Sequence, residues 1–168
     1  LVAPVFRTQG TTFYSARDEM ATHIINEGAV GDINGDGKPD LVVLETKYTS
    51  VAPTGALCSI FINDGSGIFP PLPTKQIDLG MISATSVALI DINSNNAAEI
   101  ILAESTFALG SRVVAINYNG GSTVELTSVS FTESNLKLVP GRFRTGPQQD
   151  IVVVTDVATT PTNMGMLY

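Results

Sequence analysis

Residues that commonly carry catalysis are scarce in this chain of 168 residues, which has one Cys, one His and no Trp. Cys58 lacks a partner for an intrachain disulfide, and its strand-like apolar neighbours predict a small buried side chain. His23 has no recognisable partner, which favours a structural role. No Ser-His-Asp order, phosphate-binding glycine loop or Cys-x-x-Cys pair occurs. The sequence therefore predicts a non-catalytic chain and leaves open the activity of a longer parent protein.

Positive charge is also scarce. The chain has 9 Lys and Arg against 16 Asp and Glu, a net charge of −7 and a pI of about 4.5. An acidic surface repels backbone phosphates, so no nucleic-acid partner is expected. No apolar run reaches the roughly 18 residues that a membrane-spanning helix needs, so no membrane span is expected either.

Helical patterns are missing as well. The chain has 15 Gly and 9 Pro, and short β-branched runs lie between clusters of turn-forming residues. This arrangement predicts an all-β chain. The clearest predicted strands are residues 41–45, 56–63, 99–104 and 111–118, and residues 63–67 predict a hairpin turn.

An acidic segment of nine residues, 32–40, is the most informative stretch of the sequence. Oxygen-bearing side chains stand at positions 1, 3, 5 and 9, and a glycine at position 6 allows a sharp turn. Hard divalent cations, and Ca²⁺ in particular, take six to eight oxygens from a curled loop of this kind. A metal-free turn is the alternative. The predicted calcium ligands are Asp32, Asn34, Asp36, the backbone carbonyl of Lys38, and Asp40.

The residues after this segment exclude an EF-hand. An EF-hand loop needs Glu at position 12, on an exiting helix. Position 12 here is Val43, within the apolar run Leu41–Leu44, which reads as a buried strand. The site is therefore predicted to join two strands.

The acidic segment recurs twice. Residues 91–99 repeat it after 59 residues and residues 142–150 after another 51, and each copy ends in an acidic residue followed by four apolar ones. Repeats of this length predict propeller blades or a similar array. Fewer ligands of the second copy are charged, so weaker calcium binding is expected there. Its predicted ligands are Asp91, Asn93, Asn95, the backbone carbonyl of Ala97, and Glu99.

The third copy carries Arg142 and Arg144 where acids or amides are needed, so no calcium is expected in it. One hypothesis is that Arg142 substitutes for the ion and bonds Asp150 through its guanidinium group. The alternative is that both side chains are solvated.

The segment Ala29–Val43, followed by Gly55–Phe69 with its glycine-rich turn, resembles the FG-GAP and VCBS repeats of integrin α-subunit type β-propellers. The resemblance implies about 2.7 four-stranded blades, as a segment of a larger propeller, with calcium in the acidic loops. Residues 1–20 would then hold a strand of a preceding blade, 21–80 a blade with a calcium loop, 81–132 a blade with a degenerate calcium loop, and 133–168 an incomplete blade.

The resemblance also implies a class of function, namely a non-catalytic, calcium-binding scaffold at the cell surface or outside the cell, for adhesion, ligand binding or surface assembly. Its partners would be the remaining blades of the same protein or other copies of the chain, and a protein or carbohydrate ligand. One alternative is the propeller of a secreted polysaccharide-cleaving enzyme, with Glu45, Glu104 and Asp156 as acid–base candidates. Another is a lectin that binds sugars between blades.

A ligand face follows from the strand order. The calcium loops and the turn at 63–67 should lie at one end of the blades, and the connections between second and third strands, including residues 46–54, at the other. Long loops on a rigid scaffold often bind ligands. The candidate ligand-face residues are Tyr48, Thr49, Ser50 and Phe107, all expected to be at least partly exposed. The alternative is that Tyr48 and Phe107 only pack the loops onto the blades.

Overall fold

The computed structural model describes residues 22–49, 52–66, 69–80, 83–106, 110–120, 122–132, 135–145, 149–155 and 165–167. All regular elements in these ranges are β-strands in antiparallel sheets, which confirms the prediction of an all-β chain. Within them there is no helix long and apolar enough to cross a membrane. The strand predicted in residues 1–20 lies outside the described residues.

The first sheet contains four strands in sequence order: β1 (Thr22–Gly31), β2 (Asp40–Tyr48), β3 (Pro53–Phe61) and β4 (Lys75–Asp78). The central strands are rich in Val, Leu and Ile, and most of their side chains are buried on both faces. Such a strand requires a packing partner on each side of the sheet.

The second sheet repeats this order with β5 (Ser83–Ile90), β6 (Glu99–Thr106), β7 (Gly110–Asn119) and β8 (Ser122–Phe131). β8 is largely exposed, as expected for an edge strand rich in Ser and Thr. β6 again follows the acidic segment directly, so the repeat in the sequence corresponds to a repeat of the sheet.

The third sheet is smaller. β9 (Lys137–Gly141) pairs with β10 (Asp150–Val154), which pairs with β11 (Gly165–Leu167). β10 stands after its acidic segment as β2 and β6 do after theirs. β11 therefore lies where the third strand of a sheet of this kind is expected.

The three sheets stack face to face, and successive residues of β6 show how. Ile100 and Leu102 belong to the core between the first and second sheets, whereas Ile101 and Ala103 belong to the core between the second and third. This is the alternation of a pleated strand buried on both sides. The first strands lie side by side, β1 against β5 and β5 against β9, and the described strands form a stack, not a closed ring.

The connection between β2 and β3 is shorter than predicted. Tyr48 pairs with Pro53, so it spans residues 49–52 instead of 46–54. Thr46 and Tyr48 are strand formers, and they extend β2 beyond the apolar run. Gly55 permits the close approach of the neighbouring backbone, since a Cβ there would lie 2.1 Å from the carbonyl oxygen of Gly80.

Polar side chains of β1 join the sheets across their inner strands. Glu27 Oε2 accepts a hydrogen bond from the Val87 amide at 2.7 Å, and Glu27 Oε1 lies 3.7 Å from Lys137 Nζ. The side-chain amide of Asn26, at a bulge in β1, donates to the Ala84 carbonyl at 3.1 Å. Glu27 therefore contacts both other sheets.

Candidate metal centre

The first loop, residues 32–40, is curled around its own polar side chains. Asp32 Oδ1 accepts from the amides of Gly35 and Asp36 at 2.7 and 3.1 Å, and Oδ2 accepts from Gly37 at 2.7 Å. Asn34 Oδ1 accepts from the Asp36 amide at 3.0 Å. The side chains predicted as ligands thus point into the loop.

Asp36 and Lys38 lie at the exposed side of this loop. Asp36 Oδ1 accepts from the Lys38 amide at 2.9 Å, and this hydrogen bond lowers the pKa of Asp36. Lys38 Nζ lies 3.5 Å from Asp36 Oδ2 and donates to the Asp64 carbonyl at 3.0 Å. The side chain of Lys38 therefore connects the loop to the turn after β3, while its carbonyl is the predicted ligand.

Asp40 ends the first loop and is fully buried. Its Oδ2 accepts from the Ile33 amide at 3.1 Å, and its Oδ1 accepts from the Asn63 amide at 2.9 Å. Burial raises the pKa of Asp40, the negative charges of Asp36 and Asp32 act in the same direction, and the two hydrogen bonds oppose them. This carboxylate joins the loop, β2 and the turn after β3.

The second loop, residues 91–99, repeats this hydrogen bonding. Asp91 accepts from the amides of Asn95 and Asn96 at 3.1 and 2.9 Å, and Asn95 Oδ1 accepts from Ala97 at 2.8 Å. The side chain of Asn93 accepts from the Asn95 amide at 3.1 Å and donates to Glu99.

Glu99 occupies the place of Asp40. It is buried, and its Oε2 accepts from the Ile92 amide at 2.9 Å. Burial raises the pKa of Glu99, and the negative charge of Asp91 adds to the effect. The two loops therefore share most of their internal hydrogen bonds, and in both of them burial and a neighbouring negative charge raise the pKa of the final carboxylate.

The backbone conformations of the two loops also match. Gly35 and Gly37 have φ angles of 76° and 81°, and Ser94 and Asn96, at the same loop positions, have 62° and 67°. Left-handed conformations cost little for Gly and are tolerated by Asn, but they strain Ser. Asn96 therefore replaces the turn glycine of the first loop at little cost, whereas Ser94 is strained.

The third loop, residues 142–150, contains an ion pair, but the predicted partner was wrong. Arg144, not Arg142, bonds Asp150: its Nε donates to Oδ1 at 2.7 Å and its Nη2 contacts the same oxygen, while Arg142 is exposed. Arg144 stands at loop position 3, whose side chain points inward in all three loops. The guanidinium lowers the pKa of Asp150, which also accepts from the amides of Phe143 and Arg144 at 3.0 and 3.1 Å.

The first two loops fit a hard cation by their donor chemistry. Among the described residues, no group of three or more His, Cys, Asp or Glu side chains converges on a point where it could hold a metal ion. Asp32 and Asp40 face backbone amides instead. A carboxylate has about four acceptor positions. Beyond the backbone hydrogen bonds described above, Asp32 therefore has about one acceptor position left, Asp40 has about two, and Asp36 has more. With the Asn34 and Lys38 carbonyl oxygens, these form a set of oxygens that suits calcium.

The candidate ligand-face residues lie in part outside the described residues. Tyr48 is half-buried and Thr49 is exposed, and both lie at the end of the first sheet opposite the first loop. The Thr49 amide donates to the Ala52 carbonyl at 2.9 Å. Ser50 and Phe107 are not among the described residues. The turn at Asn63 lies at the same end of the first sheet as the first loop, as predicted, because the side chain of Asn63 donates a hydrogen bond to the Pro39 carbonyl at 3.0 Å.

The acid–base candidates are engaged in interactions within the sheets. Buried Glu45 contacts His23 Nδ1 at 3.1 Å and accepts from Ser59, which gives His23 a partner that sequence reasoning missed. Buried Glu104 accepts from Arg112 Nε at 2.7 Å, beside a cavity of about 270 Å³ between the first two sheets. Asp156 lies outside the described residues.

Residues 32–102 match the family model of the FG-GAP-like repeat. This segment is therefore similar to FG-GAP-like repeats. The match begins at the first residue of the first loop and ends in β6, so it includes both loops for which five oxygen ligands each are predicted. The resemblance in the sequence is thereby confirmed for this segment. A comparison with curated proteins gave no match.

Relieving the strain at Ser94 should stabilise the protein. We expect Ser94→Gly to raise the free energy of unfolding by about 0.5–1 kcal/mol, because Gly adopts the left-handed conformation without a Cβ clash. Urea denaturation measures the change. The control is Ser128→Gly on exposed β8, where Gly should lower stability. Equal losses for both variants would contradict the assignment of strain to Ser94.

The ion pair of the third loop predicts a pH dependence. The folded pKa of Asp150 is lowered, so its contribution to stability is present above its unfolded pKa of about 3.9 and disappears as pH falls through the folded value. Arg144→Met should therefore lower the melting temperature at neutral pH. The difference from the unmodified chain should shrink below about pH 4. Arg142→Met is the control, and a similar pH-dependent loss there would disprove the pairing.

Proposed function

We propose that this chain is part of a calcium-stabilised, non-catalytic β-propeller scaffold, which acts outside the cell or at its surface in adhesion, ligand binding or surface assembly. The observation that carries the proposal is a difference between equivalent loops. In the third loop, the guanidinium of Arg144 forms an ion pair with the final carboxylate, Asp150. In the first two, position 3 is Asn and the final carboxylate has no cationic partner in the loop.

Charge supports a cation in the first loop. Asp32, Asp36 and Asp40 lie within nine residues, and Lys38 Nζ, the nearby positive charge, is 3.5 Å from exposed Asp36 only. Like charges in a small volume repel, and more strongly where burial lowers the effective dielectric constant. A divalent cation bound by all three carboxylates would remove this repulsion. The raised pKa of Asp40 is in agreement.

Calcium is the cation that the oxygen set favours. Calcium accepts six to eight oxygens with flexible geometry, whereas magnesium demands a near-ideal octahedron and retains water. The first loop would supply Asp32, Asn34, Asp36, the Lys38 carbonyl and Asp40. The second would supply Asp91, Asn93, Asn95, the Ala97 carbonyl and Glu99, with only two charges. We therefore propose tighter binding in the first loop.

Stacked sheets with adjacent inner strands support a propeller. Val139 and Val154 each expose 43% of their surface on the face of the third sheet that points away from the second. In the first two sheets, the equivalent face is covered by the next sheet. Further blades, from the same protein or from other copies, are therefore proposed to cover it.

An extracellular setting follows from calcium binding of modest affinity, because such loops fill outside cells but not in a cytosol depleted of calcium. The end of the blades opposite the loops, with Tyr48 and Thr49, is proposed to meet a protein or carbohydrate ligand. Glu45 and Glu104 are engaged with His23 and Arg112, which leaves them poorly suited to acid–base catalysis.

Calcium should raise the stability of the intact chain. At a hundredfold excess over the dissociation constant, an ion that binds only the folded form adds roughly 2.7 kcal/mol. Asp36→Ala should remove most of that gain, because it deletes a charged ligand. The measurement is the melting temperature in calcium and in chelator.

Asp64→Ala is the matched control, since Asp64 is an exposed acid on the neighbouring turn and outside the ligand set. It should retain the calcium response. An unmodified chain that melts at the same temperature in calcium and in chelator would refute calcium binding. Equal loss of response in the two variants would refute the assignment of Asp36.

A further inference from the structure

The two acidic loops contact each other directly. The amide of Ala98, at position 8 of the second loop, donates to the backbone carbonyl of Asp32 at 2.6 Å. A Cβ built on Gly35 would lie 3.7 Å from the Cβ of Ala97. The contact therefore joins the first residue of one loop to the last residues of the other.

The residues at this contact are next to, or part of, both proposed ligand sets. Asp32 supplies the first carboxylate of the first loop, and its own carbonyl oxygen accepts the bond. Ala98 lies between the Ala97 carbonyl and Glu99, two proposed ligands of the second loop. The Ala98 amide belongs to the same peptide unit as the Ala97 carbonyl. A shift of the Asp32 backbone would therefore move a proposed ligand of the second loop.

The sheets behind the loops hold this contact in place. A Cβ on Gly31 would lie 3.1 Å from the Cβ of Leu89, so the ends of β1 and β5 are as close as a glycine allows. Glu27 bonds the Val87 amide between the same two strands. The strands from which the two loops begin are therefore in direct contact.

We infer that the two loops bind calcium cooperatively, coupled through the Ala98–Asp32 hydrogen bond. Calcium in the first loop fixes the Asp32 backbone and with it the Ala97–Glu99 end of the second loop, so the second ion meets a more ordered site. Coupling of binding free energies is reciprocal, and the second ion favours the first equally. The inference rests on the proposed calcium binding.

The first loop itself suggests the variant that breaks the contact. Its position 8 is Pro39, which has no amide hydrogen, and the loop nevertheless has left-handed conformations at the same positions and most of the same internal bonds. Ala98→Pro therefore removes the donor with a residue that this loop type accommodates. Ala98→Gly keeps the amide and is the matched control.

The test is calorimetric calcium titration of the intact chain and its variants. The second loop should bind calcium about fivefold more weakly in Asp36→Ala than in the unmodified chain with its first loop filled, at the low end of typical coupling. In the Ala98→Pro background, Asp36→Ala should leave the affinity of the second loop unchanged. In the Ala98→Gly background, the fivefold effect should persist.

The outcomes separate this inference from the proposed function. No calcium uptake by the unmodified chain refutes the proposed function. Two ions that bind independently, or a single ion in the first loop alone, refute the coupling and leave calcium binding intact. An effect of Asp36→Ala that persists in Ala98→Pro also refutes coupling through this bond.

A second measurement does not depend on the folding of Ala98→Pro. In Asp91→Ala, which lacks a charged ligand of the second loop, calcium in the first loop should slow hydrogen exchange of the Ala98 amide several-fold, because the ion orders its acceptor. The exchange rate of the Arg112 amide, at the end of β7 opposite the loops, serves as the control. An Ala98 exchange rate that calcium leaves unchanged would overturn the coupling.

Discussion

A buried carboxylate that ends each acidic loop is the interaction on which the three sheets depend. Each carboxylate accepts a hydrogen bond from the backbone amide at loop position 2, and each is at most 2% exposed; the three residues are Asp40, Glu99 and Asp150. These closing carboxylates fix where the second strand of each sheet begins. Asp40 also holds the turn after β3 through Asn63. A buried charge is costly unless it is paired and hydrogen-bonded, so the way in which each loop compensates its carboxylate distinguishes the three copies.

That compensation connects the fold with the proposed function. Arg144 lies on the closing carboxylate of the third loop, whereas the first two loops present Asn at the same position and additional acidic or amide oxygens. The third loop thus compensates its buried carboxylate with an internal guanidinium, and under the proposed function an external cation would do so in the first two loops. Since the first two loops contact each other through Ala98 and Asp32, the proposed ion binding would also connect the first sheet to the second. Calcium would then stabilise the stack of sheets as well as each loop.

Periodicity predicted the all-β chain, the central strands and the three loops, because these depend on residues close in sequence. Features that depend on distant residues were missed: the partner of His23, the contact between the loops, and the backbone amides that occupy Asp40 and Glu99. Sequence alone does not show which loop positions point inward, so the prediction of Arg142 as the partner of Asp150 was wrong and Arg144 takes that place. Arg144 stands at loop position 3, as do the predicted ligands Asn34 and Asn93 in their loops. This shared position is the feature of the sequence from which an inward-pointing Arg144 could have been predicted.

The most direct test of this account moves the internal cation into the first loop. Asn34→Arg places a guanidinium at position 3, as Arg144 does in the third loop. Melting temperatures of this variant and of the unmodified chain are compared in chelator and in calcium. The account predicts that Asn34→Arg melts at a higher temperature than the unmodified chain in chelator and no longer responds to calcium at this loop. A variant that is no more stable in chelator, and that calcium still stabilises as much as the unmodified chain, would contradict it.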